Sequence, residues 1–470
     1  MSIATIDPTS GQLLKTFDEL TDAQLDAALA RAEDGFRQMR ATSFDERARW
    51  MSAVADLLDA ERDDVARVMT TEMGKTYASA RAEVTKCAAA CRYYARHAEG
   101  FLADEPADAA AVGAVRAYGR YEPMGAVLAV MPWNFPLWQV IRFAAPALMA
   151  GNVGLLKHAS NVPQTALYLD ELFRRAGFPA GAFQTLLIES SAIDRVLADP
   201  RVRAATLTGS EAAGRSIAAS AGRHLKKTVL ELGGSDPFVV MPSADVARAA
   251  EVAVAARCQN NGQSCIAAKR FIVHTDVYDT FAEAFVARMA ALRVGDPMSD
   301  ETDVGPLATE RGRAEVAAQV RDAVDRGARV LCGGEPPERA GWWYPPTVVA
   351  DLTPDMRMYA EEVFGPVAGL YRVSSYDEAV TLANGTNYGL GSNVWTRDPA
   401  EQQRFVTDLD AGLVFVNGMT TSYPELPFGG VRNSGYGREL SAQGIREFCN
   451  LKTVWIGEAA SDVGAGTHSE

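Results

Sequence analysis

Histidine and cysteine are scarce in this chain, five and six among 470 residues. His97, His158, His224, His274 and His468 are too scattered to form a metal site, so no metal is expected and catalysis must rest on other groups. The cysteines, Cys87, Cys91, Cys258, Cys265, Cys332 and Cys449, include no Cys-x-x-Cys pair and are sparse, which points to reduced thiols rather than a disulfide framework. Cys87 and Cys91 stand one helical turn apart in an alanine-rich segment and read as core packing. No apolar run is long enough to span a membrane, and the first 18 residues lack the basic and apolar regions of a secretory signal; a cytoplasmic location is expected. Basic residues are outnumbered, 46 against 60 acidic ones, and the net charge of −14 argues against nucleic acid or an anionic membrane as a partner. What is present is a globular composition, 48% hydrophobic and 23% charged, in a chain long enough for two or three domains.

Hydrophobic periodicity predicts helices over 22–39, 45–73 and 77–102. Residues 112–122 alternate, with Val115, Ala117 and Tyr121 on one face and Arg116 and Arg120 on the other, as in a strand. A short apolar run at 125–131 opens a series of strands at 153–157, 183–188, 204–208 and 228–232, with helices at 164–176, 193–198 and 212–219 between them. That alternation predicts a parallel sheet with crossovers, a dinucleotide-type domain. After Gly234 a second series follows: strands at 238–241, 270–274, 329–331, 344–349, 367–373, 392–395 and 412–417, with helices at 244–260, 278–292, 310–326 and 376–383. A last strand is expected at 451–456, and the small, polar residues 461–470 read as a flexible tail.

Cys265 ends the polar turn Gln259-Asn260-Asn261-Gly262-Gln263-Ser264-Cys265. Around it stand, in order, Met131-Pro132-Trp133-Asn134-Phe135-Pro136, Glu231-Leu232-Gly233-Gly234, Glu361-Glu362-Val363-Phe364-Gly365-Pro366 and Pro427-Phe428-Gly429-Gly430-Val431-Arg432-Asn433-Ser434-Gly435. Together these resemble the aldehyde dehydrogenase superfamily, from about Asp7 to Gly457.

The resemblance implies an α/β fold: a Rossmann-type cofactor domain from residues 1–106 and 124–233, a catalytic domain at 234–450, and a small β oligomerisation element from 107–123 and 451–460. It implies a homodimer or homotetramer. Hydride does not leave a planar carbonyl carbon, so an aldehyde must first become a tetrahedral adduct, and a thiolate suits that step. Cys265 is the expected nucleophile, Asn134 with the Cys265 backbone N–H the expected oxyanion donors, and Glu231 the expected base that activates water for thioester cleavage. The bland readings are a buried small hydrophobe, a turn asparagine and a solvated glutamate. No Gly-x-Gly-x-x-Gly fingerprint follows a strand. Instead Thr208, Gly209, Ser210 and Gly214 form a strand-to-helix turn whose N–H groups can hold phosphate, with Trp133 and Leu232 beside it. The family pattern places Lys157 at the adenine ribose and Glu362 with Phe364 at the nicotinamide ribose and ring. NAD-preferring relatives often carry a glutamate where this chain has Ser160, which with Lys157 tolerates a 2′-phosphate; NADP is the expected cofactor, with NAD less efficient.

Trp138 and Arg142 are spaced to share a helix face toward the catalytic turn, where Arg142 could bind a substrate carboxylate; a structural or exposed arginine is the alternative. With Ser264 and Ser422 this region is similar to NADP-type succinate-semialdehyde dehydrogenases. Ile266-Ala267-Ala268 follows Cys265, so no second cysteine is placed for a redox switch. Competing expectations are an aldehyde dehydrogenase of other or broad range, a non-catalytic binding relative and a nucleotide-free thioesterase.

Overall fold

The computed structural model describes residues 3–458; the expected 461–470 tail and the last residues of the 451–460 segment lie outside them. Two open sheets carry the architecture. In the first, the strands run in the order Gly435–Tyr436, Lys227–Glu231, Val202–Thr208, Ala126–Met131, Val153–His158, Phe183–Thr185. All neighbours are parallel except Gly435–Tyr436, which lies antiparallel on Lys227–Glu231 with Gly435 opposite Glu231. The chain starts at Ala126–Met131, winds outward to one side, then returns to the other through Val202–Thr208. The carboxyl ends of those two adjacent strands therefore form a topological switch point, where a crevice for a ligand opens. Strands such as Val153–His158 are buried at every residue because helices cover both faces, which explains why they read as unbroken apolar runs.

The second sheet has the order Arg329–Cys332, Thr347–Ala350, Val367–Val373, Arg270–His274, Pro237–Val240, Asn393–Trp395, Phe415–Val416, parallel except at its first pair. A three-stranded antiparallel sheet stands apart, Cys449–Ile456 pairing along its whole length with Arg116–Pro123, which also pairs with Glu105–Pro106.

Several expected elements shift. The strand expected over 112–122 starts at Arg116, because Ala110–Val112 forms a 3-10 turn closed by a left-handed Gly113. Strand 183–188 shortens to Phe183–Thr185 and 412–417 to Phe415–Val416, since only those residues find ladder partners. The single helix expected over 45–73 is two, Phe44–Ala60 and Arg62–Met73. Glu61 leaves helical geometry at the break, and its carboxylate takes hydrogen bonds from Tyr168 and Arg175 of the helix Pro163–Arg175. Local pattern carries no sign of that distant pull.

The N-terminal helices also cap helices of the first sheet. Val162 offers the helix Pro163–Arg175 no side-chain cap. Buried Glu72 supplies it, accepting from the Gln164 and Thr165 backbone N–H groups at 2.8 and 3.0 Å, and from the Thr165 and Thr5 hydroxyls. Removing the carboxylate would orphan four buried donors. Glu72→Ala is expected to lower stability by about 2–4 kcal/mol, and Glu72→Gln by less. Denaturant unfolding is the measurement, and an alanine variant with an unchanged midpoint would refute the capping role.

Candidate active site

The helix Val246–Cys258 runs into the turn bearing Cys265, and the turn is forced into an unusual course. Asn260, Asn261 and Gly262 are all left-handed, with φ of 54°, 57° and 75°. Asparagine tolerates that region and glycine is at home in it. Gly262 is further constrained, because a Cβ there would lie 2.3 Å from the backbone carbon of Gly365. The cysteine turn thus presses backbone to backbone on the Glu362–Gly365 segment.

Side chains then pin each carbonyl. Asn261 donates to the Gly74 and Pro306 carbonyls and accepts from Gly305 N–H. Arg257 donates to Gly262 at 2.6 Å. Lys269 Nζ donates to the carbonyls of Ser264 and Cys265 at 2.8 and 2.6 Å and pairs with Glu362 at 3.3 Å. The Asn134 segment is locked to the same turn: Asn260 donates to the Asn134 carbonyl at 2.7 Å, and Asn134 Nδ2 to the Gln263 carbonyl at 3.1 Å. One N–H of the Asn134 amide is thereby spent, and the other remains for an oxyanion.

Behind Asn134 begins the helix Trp138–Met149, which again lacks a local cap. Glu83, ion-paired with buried Lys75, accepts from Leu137 and Trp138 N–H at 2.9 and 2.8 Å. His158 steadies the other side. Its Nδ1 accepts from Ala159 N–H, so Nε2–H donates to the Pro136 carbonyl at 2.8 Å, and burial pulls the ring down to about 4, keeping it neutral. Glu83, Lys75, Lys269 and His158 carry no motif that marks them from sequence; their roles exist only through long-range contacts.

Cys265 lines a cavity of about 630 Å³ together with Trp138, Arg142, Ser264, Ser422 and Lys86. The helical spacing of Trp138 and Arg142 does turn both toward one space. Arg142 is nevertheless committed: its guanidinium pairs with buried Glu439, donates to Thr208 Oγ1 at 3.2 Å and lies 4.5 Å from the centre of the Phe428 ring. Glu439 follows the glycine motif unannounced, and no local pattern connects it with Arg142. Trp138 Nε1 donates to Ser422 Oγ at 3.0 Å. The buried Ser264 hydroxyl has no partner among the described residues.

Glu231 and Asn134 lie beside this cavity rather than on its wall. Glu231 is buried, both carboxylate oxygens lack hydrogen bonds among the described residues, and a Cβ at Gly429 would fall 2.8 Å from Oε1. Burial, then the nearby Glu439 carboxylate, hold Glu231 well above the usual carboxylate range, against the pull of Arg142.

On the other side of Cys265 the expected cofactor residues gather. Gly233 and Gly234 end the Glu231 segment; a Cβ at Gly233 would lie 2.4 Å from Glu362 Oε2, and one at Gly234 2.8 Å from the Cys265 carbonyl oxygen. Gly234 N–H donates to Glu362 at 3.1 Å. Trp133 and Phe364 meet edge to face at 5.7 Å, and Gly214 leaves room for Leu232. At the switch point, Ser210 caps the helix Glu211–Arg223 by accepting from Ala213 N–H, while Gly209 N–H bonds the Glu231 carbonyl. The Thr208 hydroxyl oxygen, at the end of the strand Val202–Thr208, accepts from Arg142 at 3.2 Å. Lys157 is buried at the carboxyl end of Val153–His158, where burial lowers its pKa against the opposing charge of Glu189. Ser160 lies just past that strand, its carbonyl taken by Ala4 N–H. A buried ammonium and, two strands away at the same edge of the sheet, a helix N-terminus suit a phosphate-bearing cofactor.

Burial pushes the Cys265 thiol up to about 12, against the opposing pull of Arg142 and Lys269. At neutral pH the resting thiol is therefore protonated. Alkylation of Cys265 in the ligand-free protein should be slow near pH 7 and rise about tenfold per pH unit, since only the thiolate attacks. Mass spectrometry of iodoacetamide-treated protein measures it, and a flat profile would contradict the assignment.

A model of the aldehyde dehydrogenase family matches residues 1–454. Succinate-semialdehyde dehydrogenase (NADP+) 1 of Mycobacterium tuberculosis is 67% identical over 456 residues, 97% of this chain and 100% of the relative. Succinate-semialdehyde dehydrogenase (NADP+) of Mycobacterium avium is 66% identical over 472 residues, 100% of both. Among solved structures, succinic semialdehyde dehydrogenase of Streptococcus pyogenes, in complex with NADP+ as the cofactor, superposes with a TM-score of 0.94 at 40% identity, covering 97% of this chain and 100% of that one. Likeness of that extent, in sequence and in fold, leaves one assignment: the chain belongs to the aldehyde dehydrogenase family.

Proposed function

We propose that this protein oxidises succinate semialdehyde, with NADP+ and water, to succinate and NADPH, releasing two protons. The observation that carries the reading is the cavity that sets Cys265 in one space with Trp138, Ser264, Ser422 and Arg142, and the high-identity relatives named for this activity support it.

In this mechanism the Cys265 thiol gives up its proton to solvent, the first of the two released, and its sulfur adds to the aldehyde carbon. The oxyanion is met by the free Asn134 N–H and the Cys265 backbone N–H. Lys157, Ser160, Ser210, Trp133, Glu362 and Phe364 would hold NADP+ in the crevice, where it would supply the hydride acceptor. Glu231, once ionised, takes a proton from water, whose oxygen then attacks the thioester carbon and frees the Cys265 sulfur.

One observation favours a broader or different aldehyde range as a second reading: Glu439 already answers the charge of Arg142. Steady-state kinetics on aldehydes with and without a terminal carboxylate, each with NADP+ and NAD+, decide between them. We also propose a homodimer or homotetramer built on the oligomerisation element, because the strand Cys449–Ile456 has an unpaired outer edge among the described residues and exposes Leu451 and Trp455 to 52% and 55%. A cytoplasmic location belongs to the same reading; no helix among the described residues is long and apolar enough to cross a membrane.

Cys265→Ala is expected to abolish oxidation while nucleotide binding persists, since the thiol forms the adduct but does not hold the cofactor; turnover in that variant would remove Cys265 as nucleophile. Glu231→Gln should give a single burst of NADPH and then stall. In the wild type a raised carboxyl pKa leaves Glu231 neutral at lower pH and unable to accept a proton. Thioester release should therefore climb with pH through a value above the ordinary carboxylate range, read by stopped-flow fluorescence. Ser160→Glu should move kcat/KM from NADP+ toward NAD+ by repelling a 2′-phosphate, and an unchanged ratio would count against Ser160 as the selector.

A further inference from the structure

The cavity holds a second cation that the Cys265, Arg142 and Trp138 pattern leaves out. Lys86 projects from the helix Tyr77–Phe101, one turn beyond Glu83, and its ammonium donates to Ser422 Oγ at 2.8 Å while lying 4.2 Å from the centre of the Trp138 ring. Ser422 Oγ also accepts from Trp138 Nε1 at 3.0 Å. A hydroxyl has two acceptor lone pairs and one proton. With both lone pairs engaged, the Ser422 proton needs an acceptor, and none is found among the described residues. Apart from the Trp138 ring face, the other Lys86 N–H bonds have no acceptor among the described residues, and no carboxylate there lies within ion-pair distance of it. Several donors thus converge on one end of the cavity with nothing to receive them. Burial draws the ammonium down to about 8, with Arg142 and Lys75 adding to the effect and Glu83 opposing it. Arg142 is the reverse case, its charge met by Glu439 and its remaining donors directed partly to Thr208.

We propose that Lys86, acting with the Ser422 hydroxyl, receives the terminal carboxylate of the substrate and so sets the preference for short carboxylated aldehydes. This rests on the function proposed above and names the residue that the Arg142 assignment does not supply. Arg142, neutralised by Glu439, then serves as a positioning residue that ties the Trp138–Met149 helix to Thr208.

The test is steady-state kinetics of the full enzyme with NADP+ on succinate semialdehyde and on butanal, for wild type, Lys86→Met and Lys86→Arg. A charged hydrogen bond in a half-buried site predicts that Lys86→Met raises KM for succinate semialdehyde roughly ten- to hundredfold, with kcat little changed and butanal kcat/KM equal to or above wild type. Lys86→Arg keeps the charge and should restore most of the affinity. Equal losses on both aldehydes, or an unchanged KM for succinate semialdehyde, overturn the proposal while a wild-type preference for the carboxylated substrate leaves the functional reading standing. A wild type that shows no such preference overturns both. Should Lys86→Met not fold, acetylation of Lys86 in the wild-type enzyme decides: succinate shields the amine under the proposal, and an unaltered modification rate refutes it.

Discussion

Backbone pressed on backbone at the junction of the two sheets is the constraint from which the rest of the site follows. Gly262 sits against Gly365, Gly234 against the carbonyl of Cys265, and Gly233 against the Glu362 carboxylate, each so closely that a Cβ would collide. Three segments distant in sequence are thereby brought to one point, with the thiol on one side and the cofactor crevice on the other. Close approach leaves many carbonyls facing inward, and buried polar groups must be satisfied. Lys269, Arg257, Asn260 and Asn261 satisfy them, which is why so many long polar side chains lie fully buried around one cysteine.

The same interior manages charge by pairing or by neutrality. Lys75 with Glu83 and Arg142 with Glu439 are buried ion pairs, and buried Lys269 pairs with the partly exposed Glu362; breaking either buried pair would strand a charge in a low-dielectric interior. Cys265 and Glu231, by contrast, rest without a committed partner and are both driven toward their neutral forms. Their neutral forms spare the interior two unpaired charges, and each group becomes reactive once its proton departs.

Much of the fold was legible because helices cover both faces of each sheet. Buried parallel strands such as Val153–His158 must be apolar throughout, and amphipathic helices must alternate with them, so periodicity alone marks the series. Boundaries were less legible where a distant partner overrides local preference. The break at Glu61 follows from Arg175 and Tyr168, more than a hundred residues away. Helix caps behave alike: Thr21 and Ser43 announce theirs through capping boxes spanning four residues, whereas the helices at Pro163 and Trp138 borrow Glu72 and Glu83 from another layer.

By itself the sequence determined the chemical groups and their local frames: a thiol after an Asn-Asn-Gly turn, an amide in a proline-bounded segment, a glutamate closing an apolar strand, and Trp138 and Arg142 on one helix face. Those depend on residue type and on spacings of a few residues, which the chain carries wherever it folds. Only the tertiary structure decided which charges are spent and which remain available. Arg142 could be seen as a cation but not as one already answered by Glu439, nearly three hundred residues on, and Lys86 looked like any solvated lysine until Ser422 and Trp138 closed over it. Electrostatic availability is a property of burial and of neighbours in space, and the order of residues along a chain does not contain it.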